Sequence, residues 1–368
     1  MRQRDALLCA ALTVCALALF SSTRGVARQS QPQPVAPAAA LWFPNGFGES
    51  SAAARAAESS AAPRSAAAGP ARASSSSPPP PPPPPPPLKI AAAGAASNRS
   101  TACAERRLLH WNILDGGGSR LDGIGALVRA GGYDVVTLNE LNGFSAVRLK
   151  ALAARWGFAH SAFLHKSAYN LGMLSRTPLE RVKLGNDEIF AHGLLCADAA
   201  GVRLCVTHLN PHDVGRRANE ARAIVARVPP RAPFLLVGDL NTLSPADRAL
   251  HEAAALPAVI RSGPHAKALG KKFLTRSGDA VDYAPMAALL DGSAALIDVA
   301  PPRGSCTVPT AINADKMHFA RLRLDYALAS PSLARGACAP PRATVLNDTI
   351  TNTLSDHLPL AVTFSVPA

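Results

Sequence analysis

Phe234-Leu235-Leu236-Val237-Gly238-Asp239-Leu240-Asn241 is a run of four apolar residues that stops on a glycine and then meets an acid and an amide. A short apolar run bounded by turn residues predicts a buried strand over 233–237, with the polar pair at its C-terminal end. The same grammar recurs three times. Leu108-Leu109-His110-Trp111 runs into Asn112, Val135-Val136-Thr137-Leu138-Asn139 into Glu140, and Leu204-Cys205-Val206-Thr207 into His208. Two later runs invert it: Asp325 precedes Tyr326-Ala327-Leu328, and Ser355-Asp356-His357 precedes the run 358–362. In antiparallel neighbours the start of one strand lies beside the end of the next, so both sets can meet at one rim. That rim would gather Asn112, Glu140, His208, Asp239, Asn241, Asp325, Asp356 and His357.

Working outward, further strands are predicted at 107–111, 134–138, 158–163, 171–175, 193–197, 202–207, 326–329 and 358–364. Helical periodicity lies at 120–130, 145–156, 214–228, 245–255 and 283–290. Helices and strands intermix, yet 158–207 is nearly all strand. That combination predicts an α/β protein with mixed sheets covered by helices, not a purely parallel doubly wound sheet. Aromatic residues are only 5%, so Leu, Val, Ile and Ala must fill the core.

Four carboxylates gathered at one rim repel one another and are costly without a cation. Carboxylate and amide oxygens are hard ligands, which favour Mg²⁺, Mn²⁺ or Ca²⁺ over zinc. Two histidines beside them supply proton transfer and positive charge, a set that suits phosphoryl chemistry.

These residues resemble the endonuclease/exonuclease/phosphatase superfamily. The resemblance runs from about Arg106 to the C-terminus through His110-Trp111-Asn112-Ile113, Leu138-Asn139-Glu140, Thr207-His208-Leu209-Asn210-Pro211, Gly238-Asp239-Leu240-Asn241, Leu324-Asp325-Tyr326 and Ser355-Asp356-His357. It implies a four-layer sandwich of two mixed β-sheets flanked by helices. It also implies a divalent-metal-dependent phosphoester hydrolase using in-line attack by activated water. Glu140, Asn112 and Asp356 are then expected to hold the metal. His357, oriented by Asp325, is expected to be the general acid/base. Asp239 and Asn241 would position nucleophile and phosphate, and His208 would steady the pentacovalent phosphorus. One or two metals, and Asp or His as proton acceptor, stay open. Tyr169, Asn170 and Asn210 are weaker candidates for touching substrate; Arg216 with Arg217, and the stretch Lys267, Lys271, Lys272 and Arg276, read as solvated basic faces or as tracks for a polyanion.

Arg2 and Arg4, the apolar run 6–20 and Gly25-Val26-Ala27 have the order of a signal peptide over 1–27. An uncleaved type II signal anchor is the alternative. Residues 28–102 form a linker rich in Ala, Ser and Pro, expected to be disordered, with a polyproline spacer at 78–87. A bipartite plastid-targeting sequence is a further reading, and the catalytic domain is placed at 103–368. The expected location is therefore the secretory pathway. Five cysteines lie beyond the apolar run, and an oxidising compartment predicts pairing. Cys306–Cys338 and Cys196–Cys205 are the expected disulfides, and Asn98 and Asn347 head glycosylation sequons.

The formal charge is +13, of which residues 1–100 carry +6 and the remainder +7. A basic domain suits a polyanionic substrate. Thr242-Leu243-Ser244-Pro245 follows the Gly-Asp-x-Asn element, which disfavours the inositol polyphosphate phosphatase branch, where an aromatic and an Arg are expected. No aromatic-rich hairpin suggests entry into a bilayer, and membrane contact is expected only through the N-terminal segment. A duplex nuclease needs mainly Arg and Lys contacts to the backbone. The favoured reading is a nuclease-like phosphodiesterase; a phosphatase, phospholipase or sphingomyelinase-type hydrolase, and a non-catalytic binding module of the same fold, are the alternatives.

Overall fold

The computed structural model describes residues 102–229, 231–313 and 317–368. The predicted signal segment, the linker up to residue 101 and the Asn98 sequon lie outside the described residues.

Two six-stranded mixed sheets form the centre of the fold. The first consists of β1 (Cys103–Asn112), β2 (Val135–Asn139), β3 (His160–Leu164), β4 (Leu171–Ser175), β11 (Arg342–Val345) and β12 (Leu360–Pro367), in the order β11-β12-β1-β2-β4-β3. The second consists of β5 (Glu180–Gly185), β6 (Leu194–Ala199), β7 (Val202–His208), β8 (Phe234–Asp239), β9 (Ile297–Asp298) and β10 (Asp325–Ala329), in the order β5-β6-β7-β8-β10-β9. Among the described residues, only β1–β2 and β7–β8 pair in parallel. Outside the first sheet lie α1 (Leu121–Gly131) and α2 (Ala146–Trp156); outside the second lie α3 (Val214–Val225) and α7 (Ala284–Leu290). Short helices α4 (Arg248–Ala253), α5 (Leu256–Ser262) and α6 (Ala266–Phe273) follow β8, and α8 (Pro331–Ala334) follows β10.

The period-2 alternation of each strand separates the layers. In β1, Leu108 enters the core between the sheets, while Leu109 and Trp111 face α1 and α2. In β8, Leu235 and Val237 enter the same central core and Phe234 and Leu236 face α3 and α7. Helix starts are marked in the sequence: the Ser145 hydroxyl accepts from Arg148 N at 3.2 Å, and the Asp213 carboxylate accepts from Arg216 N at 2.8 Å.

The nine expected strands and the strong helices are present, and the sandwich is the one the resemblance implies. β5, β9, β11, α5, α6 and α8 were not legible in the sequence. β5 is an exposed edge strand rich in charge, β11 is a four-residue edge strand with one buried residue, and β9 is two residues long, so none carries a buried apolar run. The helix expected over 245–255 splits into a turn at Pro245–Asp247 and α4.

One expected disulfide is present: Cys196 and Cys205 are direct register partners on β6 and β7. The other is corrected. Cys338 pairs with Cys103, not with Cys306, which is free. The sheet order explains it. β12 lies between β1 and β11, with Cys103 level with Pro367 and Arg342 level with Thr363. Running back from Arg342 to residue 338 reaches the same end of β12, and the two Cα atoms stand 5.9 Å apart. Asn347 is exposed beside a turn, with its side-chain oxygen accepting from Asn352 at 3.1 Å.

Candidate active site

At one end of the sandwich the inward-facing series turns from apolar to polar without changing register. Along β1 the inward side reads Leu108, His110, Asn112; along β2 it reads Val135, Thr137, Asn139. On the second sheet it reads Val206, His208 along β7 and Val237, Asp239 along β8, while β10 begins at Asp325. Register then sets these residues level with one another: Asn112 opposite Asn139, His208 opposite Asp239, and Asp325 opposite Asp239. His110, Asn112, Asn139, His208, Asp239, Asn241, Asp325 and His357 are all buried.

Asp239 is the hub. Its backbone N–H donates across the sandwich to Asn139 Oδ1 at 3.0 Å. Its Oδ1 accepts from Asn241 N at 2.9 Å, and its Oδ2 accepts from Asn112 Nδ2 at 3.2 Å. The same Oδ2 lies 3.4 Å from His208 Nε2 and 3.6 Å from His357 Nε2. His357 is aimed by Asp325, whose Oδ2 is 2.7 Å from Nδ1, while Asp325 Oδ1 stands 3.5 Å from His110 Nε2. The indole N–H of Trp111 donates to the His357 carbonyl at 2.8 Å, which ties β1 to the loop that carries His357.

Glu140 sits just beyond β2 with φ +60°, a left-handed conformation that a non-glycine residue adopts at a cost of order 1–3 kcal/mol. Its Oε1 accepts from Asn112 Nδ2 at 3.1 Å and its Oε2 from Asp115 N at 3.2 Å. The turn that carries it is held by Asn170, whose amide donates to Leu141 O at 3.0 Å.

Burial is the largest influence on Asp356 and pushes its carboxyl up to about 6; His357 opposes this, and the fields of Glu140 and Asp239 add to it. Burial disfavours the charged form of His357, but Asp325, Asp239 and Asp356 outweigh it and raise the imidazole to about 10. Burial likewise opposes ionisation of Asp239, yet the neighbouring His357 and His208 hold it well below the usual carboxylate range. Glu140 and Asp356 therefore feel each other's charge although 216 positions separate them in the chain. An acid raised by burial and by two like charges fits a site for a hard divalent ion, with Glu140 and Asp356 as oxygen donors. Among the described residues, His318, Asp356 and His357 bring candidate ligand atoms within 4.8 Å of one another, as do Asp239, Asp325 and His357.

The eight residues of the predicted rim all converge. Three of the expected site residues also make hydrogen bonds that hold the turns around the rim. Asn112 Oδ1 accepts from Leu114 N at 3.2 Å, because Leu114 and Asp115 turn left-handed just after β1. Its oxygen keeps a second lone pair, and its NH₂ bridges Glu140 and Asp239. Asn170 donates to the Leu141 carbonyl at 3.0 Å, and its oxygen lies 2.8 Å from His165 Nδ1. Asn210 Oδ1 accepts from His212 N and Asp213 N, both at 2.9 Å, a local turn that caps the approach to α3. Tyr169 stays at the rim, its ring 5.1 Å from that of His192 and 6.2 Å from that of His208. Arg217 and Lys272, read as solvated basic positions, are both buried.

Residues the sequence reading missed include His110, Asn139, His192 and His318. His110 and Asn139 carried a signal: each lies on the inward side of a strand whose next inward position, or next residue, was already assigned to the rim. His318 comes from the loop before β10, its ring 4.9 Å from that of His357 and its Nδ1 3.7 Å from Asp356 Oδ2. No strand run announces it.

The profile of the endonuclease/exonuclease/phosphatase family matches residues 109–357, a span that contains every residue of the rim. No curated protein matches the chain. Among solved structures it is similar to an AP endonuclease from Archaeoglobus fulgidus, with a TM-score of 0.52 and 20% identity over 70% of this chain and 99% of that one. It is also similar to the 3′-5′ exonuclease NExo from Neisseria meningitidis, with a TM-score of 0.51 and 19% identity over 70% of this chain and 99% of that one. A third similar structure is the 3′ phosphatase NExo from Neisseria bound to product DNA hairpin, with a TM-score of 0.50, 20% identity and the same coverage. At these identities the likeness is one of fold.

Proposed function

The chain belongs to the endonuclease/exonuclease/phosphatase family, and from that premise we propose that it is a divalent-metal-dependent phosphoester hydrolase, acting as a nuclease-like phosphodiesterase. The observation that carries the reading is the convergence on Asp239 of His208, His357 and Asn112, from three separate parts of the chain. Such a cluster binds a phosphate, orients water and moves a proton within one buried rim.

Glu140 and Asp356 are the residues that would hold the metal. The ion supplies, when bound, a positive field on the phosphate oxygens as charge develops. Asn112 fixes the Glu140 carboxylate through its NH₂ and keeps Asp239 aligned beside it. The ionised Asp239 Oδ2 takes the proton of the attacking water as the new O–P bond forms and the P–O bond to the leaving group breaks. The imidazolium of His357, its Nε2 3.6 Å from that oxygen, offsets the charge, and the leaving oxygen takes a proton from solvent. Asp325 fixes the ring so that Nε2 points into the site. His208 Nε2, on the opposite side of Asp239, meets the phosphoryl oxygens in the pentacovalent transition state. Attack is in line, and a basic domain suits a polyanionic substrate.

Nucleic acid is the favoured substrate because the similar structures named an endonuclease and an exonuclease share this fold and because the domain is basic. The secretory pathway is the favoured location, supported by two disulfides among the described residues, since such bonds persist in oxidising compartments. The test is a screen of plasmid DNA, RNA, sphingomyelin and bis(p-nitrophenyl) phosphate with Mg²⁺, repeated in excess chelator. DNA or RNA hydrolysis that the chelator silences is expected. Full activity in chelator contradicts metal dependence, and exclusive action on sphingomyelin contradicts the nuclease reading.

A further inference from the structure

Helix α6 buries three residues, Leu269, Lys272 and Phe273. Leu269 and Phe273 fill an apolar cluster with Leu243, Ile260 and Leu324. Lys272 does not belong there by chemistry. Its side chain is only 8% exposed, and its Nζ lies 5.2 Å from the centre of the Phe273 ring. Arg216 and Lys271, by contrast, are exposed in the ordinary way of basic residues.

The groups that feel its charge locate the ammonium. They are Asp239, Asp356 and Glu140 on the acidic side, and Arg217, His212 and His318 on the basic side. Three of these are rim acids, contributed by the ends of different strands and loops. Among the described residues the ion pairs of the rim acids are made by histidines, and Lys272 takes part in none of them. The ammonium is thus inside the field of the rim without being neutralised by one carboxylate. Burial is the largest influence on it and lowers the amine to about 8, against the pull of Asp239.

Its placement is built. Arg217, fully buried, donates from Nη2 to the Lys272 carbonyl and from Nη1 to the Asn210 carbonyl at 2.8 Å. One guanidinium therefore fixes both the loop that follows His208 and the end of α6. Glu220 completes the brace by accepting from Asn210 N at 2.8 Å and Ala191 N at 2.7 Å. A buried ammonium held near, but not on, carboxylates calls for an anion to complete its shell.

We propose that Lys272 contacts substrate directly, its ammonium binding a non-bridging oxygen of the scissile phosphate at the rim. The inference rests on the phosphoester reading and adds to it a cation that no strand end supplies. The competing role is a fixed counter-ion that only balances Asp239 and Asp356.

The two roles separate in the full-length chain. Lys272→Met is compared with wild type in turnover of bis(p-nitrophenyl) phosphate and in competitive inhibition by inorganic phosphate. A fall of about a hundredfold in kcat/KM is expected, the loss typical of one transition-state donor. Phosphate inhibition should weaken by at least tenfold, and Lys272→Arg should recover part of both. The exposed Lys267→Met should match wild type. The melting temperature of Lys272→Met at pH 7 should be no lower than wild type, because burial lowers the amine to about 8, so at pH 7 Lys272 is charged at a cost to the folded state that Met does not bear. Wild-type phosphate inhibition in Lys272→Met overturns the proposal. Should that variant not fold, acylation of Lys272 in the wild type, followed by peptide mass spectrometry, gives the answer: phosphate must slow it, and unchanged labelling overturns the proposal. The labelling reads phosphate binding without turnover. An inactive wild type would therefore count against the hydrolase reading, while protection of Lys272 by phosphate would still decide its role.

Discussion

At the residue scale, His357 shows how position makes chemistry. An isolated imidazole has two equivalent roles; here Asp325 takes Nδ1 at 2.7 Å, leaving Nε2 to face Asp239. Trp111 fixes the backbone beneath it. Replacing His357 with Ala should lower the turnover rate by at least about a hundredfold, as expected for a lost proton carrier, with the fold intact by circular dichroism. A wild-type rate in that variant removes His357 from the chemistry. Ser355-Asp356-His357 was legible because three polar residues interrupt an apolar strand start. Lys272 was not, because one buried Lys in a run of surface bases looks like its neighbours. Asn170 and Asn210 also sit near the rim, where each holds a turn: Asn170 donates to Leu141 O, and Asn210 Oδ1 accepts from His212 N and Asp213 N.

At the element scale, the sandwich works because each inward face changes character at the same height. β1 and β2 in one sheet, and β7 and β8 in the other, are the two parallel pairs, and all four end at the rim. β10 runs antiparallel to β8 and starts there. The two sheets are locked at that end by Asp239 N–H donating to Asn139 Oδ1. A buried donor left without a partner costs about 1–3 kcal/mol. Asn139→Ala should therefore lower the unfolding free energy by about that amount in denaturant titration, and should reduce turnover because Asp239 is no longer aligned. Unchanged stability contradicts a structural role for this bridge. The alternation of apolar and polar residues made these central strands legible. It could not announce β5, whose edge position leaves most of its side chains in water, or β11, a four-residue edge strand that buries one.

At the scale of the whole molecule, residues from 110 to 357 must come together before any chemistry is available. The order of the sheets was not legible in the sequence, and the disulfides show why. Cys103 and Cys338 are 235 positions apart and meet only because β12 lies between their strands. Strand ends could be read from local composition, whereas long-range pairing depends on a topology that no local pattern encodes. The convergence itself is the central claim, and Glu140 is its sharpest probe. It comes from the first sheet, its field reaches Asp356 near the C-terminus, and its Asn112 partner also touches Asp239 of the second sheet. The decisive measurement is the Mg²⁺-dependent hydrolysis rate of Glu140→Gln on the best phosphoester substrate of the wild type. A loss of activity to background in a protein that melts like the wild type is predicted; a rate equal to the wild type contradicts the account.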